Sequence, residues 1–176
     1  MVSTRSVVPL LRPEAKVHHL AVDDSSEAIA WVEGSSTVRL GRLEGGGQLD
    51  ITGVISTQHR VSYLGFHRGG LLIGDDLESL MFYDLDGALV EAQAIDGGVQ
   101  SCRLMGLKVV VLSGMGEVVL VQRERDSVNL SSKHGLNDVV HVEVHGERLY
   151  VAEQQGTVLA CTEDSVLSYS KQVQKA

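Results

Sequence analysis

"ERLYVAEQQGTVLACTED", residues 147–164, holds two apolar stretches around a polar break. Arg148 to Glu153 is rich in β formers, Gln154 to Gly156 interrupts it, and Thr157 to Cys161 is apolar again. β-branched and aromatic residues on either side of a Gly-containing break read as a hairpin. The fold turns on whether this hairpin occurs once or is a unit that the chain repeats.

It repeats. "LYVAEQQGTVLA" (149–160) lies without a gap over "VVVLSGMGEVVL" (109–120), "LLIGDDLESLMF" (71–82) and "IAWVEGSSTVRL" (29–40). The first residues, Ile29, Leu71, Val109 and Leu149, are 42, 38 and 40 apart. A further strand precedes each hairpin: "VHHLAV" (17–22), "VSYLGF" (61–66), "VQSCRL" (99–104) and "VVHVEV" (139–144). A fourth follows each: "QLDITGVI" (48–55), "ALVEAQAI" (88–95), "SVNLSS" (127–132) and "SVLSYS" (165–170). Four short strands recurring at a period near 40 are the pattern of a propeller blade. A sandwich also has many short strands but gives no reason for four copies to superpose. Helix-pair solenoids share the period, but these runs are short, β-branched and punctuated by Gly.

The chain is therefore expected to be all-β, a β-propeller of four four-stranded antiparallel blades. It forms either a closed four-blade ring or part of a larger propeller. The repeats span about 17–58, 59–97, 98–136 and 137–172. Residues 1–16 are an N-terminal extension whose "SVVPLL" (6–11) is a candidate closing strand. Leu20, Leu64, Cys102 and Val142 share one slot of the first strand, and Trp31, Ile73, Val111 and Val151 share the centre of the second. Residues two apart on a strand share a face, so these slots predict the core. Arg103 and Glu143 share another slot and are expected to pair between the third and fourth blades.

Composition narrows the function. A net charge of −8 over 176 residues disfavours a phosphate backbone or an anionic membrane, both of which need clustered Lys and Arg. No apolar run approaches the roughly 18 residues of a spanning helix. The patch from Val7 to Leu11 is broken by Pro9 and is shorter than a secretory signal core. The chain reads as cytoplasmic, with Cys102 and Cys161 as reduced core residues.

Family likeness rests on a few segments. "GSSTVRLGRLEGG" (34–46), "LMFYDLDGALVE" (80–91) and "GTVLACTED" (156–164) resemble strand-and-turn segments of the WD-repeat and quinoprotein-like propeller families. The Trp-Asp dipeptide and the Gly-His start are absent, and Trp31 sits on the second strand. The polar tetrad of WD repeats thus has no counterpart here. The resemblance implies a platform that binds other proteins, and no catalytic residue.

Two sets of positions are candidates for binding. His19, Tyr63, Ser101 and His141 recur on the strand nearest the axis, where a ring of polar groups would hold an anion or a metal. The plainer reading is packing between blades. Glu33, Asp75 and Glu153 recur at the end of the second strand, on one rim, where acids either aid solubility or dock a basic partner. His141 and His145 lie about 13 Å apart along a strand and cannot share a metal. "SGMGEV" (113–118) and "EGGGQ" (44–48) lack the following helix and Lys of a phosphate cradle. No Gly-x-Ser-x-Gly elbow is present. The sequence thus points to no metal, no cofactor and no enzyme. The leading expectation is an interaction module that scaffolds protein partners or pairs with itself. The alternative is a small-molecule or carbohydrate-binding propeller, hydrolytic in one version, with an axial site.

Overall fold

The computed structural model describes residues 13–169. They form four antiparallel sheets, each a simple meander in chain order. Blade 1 is β1 (Val17–Asp23), β2 (Ala28–Glu33), β3 (Thr37–Glu44) and β4 (Gln48–Ser56). Blade 2 is β5 (Val61–His67), β6 (Gly70–Asp75), β7 (Ser79–Tyr83) and β8 (Leu89–Ala94). Blade 3 is β9 (Val99–Met105), β10 (Lys108–Ser113), β11 (Val118–Val121) and β12 (Val128–Asn129), followed by helix α1 (Leu130–His134). Blade 4 is β13 (Val139–His145), β14 (Arg148–Glu153), β15 (Val158–Cys161) and β16 (Val166–Tyr169). The first strands β1, β5, β9 and β13 lie side by side in that order.

Local chemistry sets the turns. β5 and β6 are joined by Arg68 and Gly69 alone, both at positive φ (51° and 71°). Two successive left-handed residues make the hairpin turn that matches strand twist. The register places the predicted core slots opposite one another. Leu64 faces Ile73, which faces Met81. Cys102 faces Val111, which faces Val119. Val142 faces Val151, which faces Leu159. Trp31, Ile73, Val111 and Val151 are all buried.

Each first strand carries the same irregularity near its start. The register slips between Val17 and His19, Val61 and Tyr63, and Val139 and His141, and in blade 3 opposite Leu112 and Ser113. A bulge adds one residue and turns the strand. Its effect is visible in blade 2. Val61 and Leu64, three apart, enter one core, while Tyr63 between them packs against the next.

Three apolar cores separate the four sheets. Ala30, Val32, Val38 and Leu40 of blade 1 meet Val61, Leu64, Leu71 and Ile73 of blade 2. Leu72, Leu80 and Phe82 of blade 2 meet Val99, Cys102, Val109 and Val111 of blade 3. Val110, Leu112, Val118 and Leu120 of blade 3 meet Val139, Val142, Leu149 and Val151 of blade 4. Middle strands are thus apolar on both faces because a sheet lies on either side of them. Arg103 Nε donates to the Glu143 carboxylate at 3.2 and 3.3 Å, linking blades 3 and 4 as the shared slot predicts.

The outer edge of blade 3 departs from expectation. A strand over 127–132 is replaced by the two residues of β12 and by α1. The Asn129 side chain accepts the Ser132 amide and caps the helix, Lys133 and His134 occupy its last turn, and Gly135 ends it at φ 67°. Leu130 and Leu136 enter the core between blades 3 and 4. Where β12 stops, the buried Ser131 hydroxyl accepts the Val118 amide hydrogen at 2.9 Å. Helix capping and two buried leucines here outweigh an extended outer strand.

Candidate functional site

Every sheet has a leading face, turned to the next blade, and a trailing face, turned to the one before. Both faces of blades 2 and 3 are covered. The trailing face of blade 1 and the leading face of blade 4 have no such neighbour among the described residues, and their exposure is uneven: Trp31 and Ala160 on them are buried, while Leu20 and Val158 are not. Leu20 is 63% exposed, whereas its counterparts Leu64, Cys102 and Val142 are 8%, 3% and 0% exposed. Val158 is 50% exposed, whereas Val38, Leu80 and Val118 in the same slot are each 0%. Val17 and Val22 are exposed beside Leu20, and Tyr150 and Ala152 are half-buried beside Val158. A soluble protein seldom leaves apolar positions of this kind in contiguous patches without a binding role.

The recurring acids are turned inward. Asp75 is buried and accepts the amides of Leu77, Glu78 and Ser79 at 3.0, 2.7 and 3.0 Å, together with the Ser79 hydroxyl. Burial alone would push its carboxyl up. The Ser79 hydroxyl and the amides of Glu78, Ser79 and Leu77 together outweigh burial and hold it below the ordinary aspartate value. Glu33 is buried as well, accepting the Trp31 indole N–H at 2.9 Å and Arg39 Nε at 2.8 Å. Those two donors lower its pKa. Glu153 is half-buried and accepts the Asn137 amide at 2.9 Å. In blade 3 the same slot is Ser113, whose hydroxyl accepts the amides of Met115 and Glu117. A short side chain that ties down the following turn serves the slot in blades 2 and 3 alike.

The axial quartet is divided among different surroundings. His19 reaches the Val61 backbone of blade 2; burial lowers its pKa, partly offset by that contact. Tyr63 lies over Gly65 and packs against the core shared with blade 3. Burial raises its pKa to about 12. Ser101 is half-buried. His141 is exposed, 3.7 Å from the Glu143 carboxylate. Among the described residues, no group of three or more His, Cys, Asp or Glu is placed to hold a metal. Cys102 and Cys161 are free and buried, and burial pushes the Cys102 thiol up to about 12, far from a reactive thiolate. No described helix is long and apolar enough to cross a membrane.

Three contacts that sequence reasoning missed join the blades through the backbone. The Ser62 hydroxyl donates to the Val99 carbonyl, reaching from blade 2 to blade 3. The Val61 amide donates to Ser35 O at 2.8 Å, and the Val139 amide to Gly116 O at 3.0 Å. In both cases the first residue of one blade binds the middle turn of the blade before. The signal available was positional, because Val17, Val61, Val99 and Val139 open all four repeats.

This architecture is that of solved β-propellers. The crystal structure of the N-terminal domain of Nup159 superposes with a TM-score of 0.66 at 16% identity, over 89% of this chain and 44% of that one. A structure of S. cerevisiae Dbp5 bound to Nup159, Gle1, IP6 and ADP gives 0.64 at 16%, over 89% and 44%. The WD40 β-propeller domain of Doa1 gives 0.63 at 20%, over 86% and 53%. The chain therefore spans about half the length of the solved chains it matches. No protein-family model and no curated protein matches it.

Proposed function

We propose that the chain is a non-enzymatic β-propeller module that holds protein partners in an assembly. The observation that carries this reading is the pair of apolar end faces, on which Leu20 and Val158 stand exposed in slots that every internal joint buries. The likeness to WD40-type propellers supports it, one of them from a structure in which Dbp5 is bound to Nup159. The rim acids Glu33 and Asp75 are engaged inside their own blade, so the docking role falls to the end faces. The alternative, a small ligand held at the axis by His19, Tyr63, Ser101 and His141, draws less support. His19 and Tyr63 lie at successive interblade joints, and His141 sits beside Glu143.

The test is recovery of the tagged chain from cells that express it, followed by cross-linking. A protein bound in fixed ratio, cross-linked near Leu20 or Val158 and lost from a Leu20→Asp, Val158→Asp double variant, is expected. A chain that associates with no protein, itself included, while a small-molecule panel raises its melting temperature saturably, would overturn the reading.

A further inference from the structure

We infer that the two end faces are the two halves of one joint, and that a second copy of this chain supplies the missing half to each. The inference rests on the interaction-module reading and names the partner.

The internal joints define what a partner must offer. Each brings a leading face onto a trailing face. A Cβ on Gly74 would stand 2.7 Å from Val99 Cβ, so the slot of Gly74 lies directly on the slot of Val99. Those slots on the end faces are Ala152 and Val17. The slot of Gly74 holds Val32 in blade 1 and Leu112 in blade 3, so Ala152 falls within the range of sizes that the internal joints hold, and Val17 repeats Val61, Val99 and Val139. The backbone bond at the joint, from the first valine amide to the preceding blade's turn, also has its parts at the ends. The Val17 amide opens blade 1, and the turn carbonyls of Gln155 and Gly156 close the middle hairpin of blade 4. Glu143, the one charge in the inner slot of blade 4, is already paired with Arg103 and needs no partner across a new joint.

Geometry points to two copies. The four blades superpose on propellers about twice as long. As an arc of such a ring they would leave β1 and β13 apart, and the close approach that joins β1 to β5 is not repeated between β13 and β1 among the described residues. Two arcs related by a two-fold along the propeller axis place each blade 4 on the other copy's blade 1. A sheet face four strands wide and five residues long covers about 300 Å². The four faces of two joints then cover about 1,200 Å², within the range of stable interfaces. The symmetry closes, so association stops at two.

The experiment uses the purified 176-residue chain. Sedimentation is expected to give twice the 19.0 kDa chain mass. Leu20→Asp and Val158→Asp should each shift the mass to that of one chain while the β spectrum is retained. Mixing the two variants leaves one joint intact and should restore at least a tenfold tighter association than either alone. Independently, Val17→Cys and Ala152→Cys chains, mixed and oxidised, should cross-link to each other and not to themselves. The inference fails if the wild type sediments as one chain at all concentrations tested. It also fails if the dimer ignores both Asp variants, or if the cysteine pair gives no mixed cross-link. A single chain that captures a different protein through Leu20 and Val158 overturns the second copy but leaves the module reading standing. A single chain that captures nothing overturns both.

Discussion

Replacing Asp75 by Ala tests whether the recurring acid is a brace for the hairpin turn. The carboxylate takes three amides and one hydroxyl. Hydrogen bonds to a charged group are worth about 1.5–3 kcal/mol each, but an amide that regains water recovers most of that. Leu77 and Glu78 are exposed, so their amides are rehydrated when the side chain is cut back. Ser79 is half-buried and loses both its amide and its hydroxyl partner. The net loss is then about 2–4 kcal/mol, near the upper end for a lost cap. With a urea slope of about 2 kcal/mol/M for a chain of this size, the midpoint should fall by about 1–2 M. Asp75→Asn retains one acceptor oxygen without the charge and should lose about half as much. The sign with pH follows from the lowered carboxyl pKa. Stability from this group is fully present above the unfolded aspartate value of about 3.9 and is lost as pH falls through the lower folded value. The gap between wild type and Asp75→Ala should therefore be constant near neutrality and narrow in acid. A variant within about 0.5 kcal/mol of wild type at neutral pH, or a gap that widens in acid, would refute the bracing role.

Two further substitutions probe the joints and the odd edge. Val111→Asp places a charge in a fully buried slot between blades 2 and 3 and should cost about 4 kcal/mol; a melting temperature within about a degree of wild type would show the register to be wrong. Ser131→Ala orphans the buried Val118 amide and should cost about 1–3 kcal/mol by urea titration, with faster exchange of the Val118 amide proton; an unchanged exchange rate would contradict the bond.

The blades were legible because apolar slots repeat. Val61, Val99 and Val139 open their strands at the positions that the hairpin spacing indicates, and Ile73, Val111 and Val151 are buried where it places them. The bulge was not legible, because His18, Ser62, Gln100 and Val140 share no residue type and a bulge is a property of the backbone. Helix α1 was hidden because "SVNLSS" has strand-like alternation, while its cap and buried leucines act only through the fold. Among the candidate positions, the period located Glu33, Asp75 and Glu153 but not their direction. Ser113 in the same slot was the available hint, since a short hydroxyl suits a turn brace better than a charged rim. Nothing in the letters separates Leu20 from Leu64. Only their place in the array does, and that decides which leucine meets solvent.

The meander topology also governs how stability is shared along the chain. Each sheet is made from contiguous residues, and the apolar cores join only consecutive sheets. Such an array behaves as a row of coupled units, each stabilised by the neighbours it touches. Blades 2 and 3 have two neighbours each, while blades 1 and 4 have one. Opening of the single chain should begin at its ends and travel inward, with amide protection highest in β6 and β10 and falling toward β1 and β15. Joining the ends would abolish that gradient, because a ring has no first unit from which to unzip.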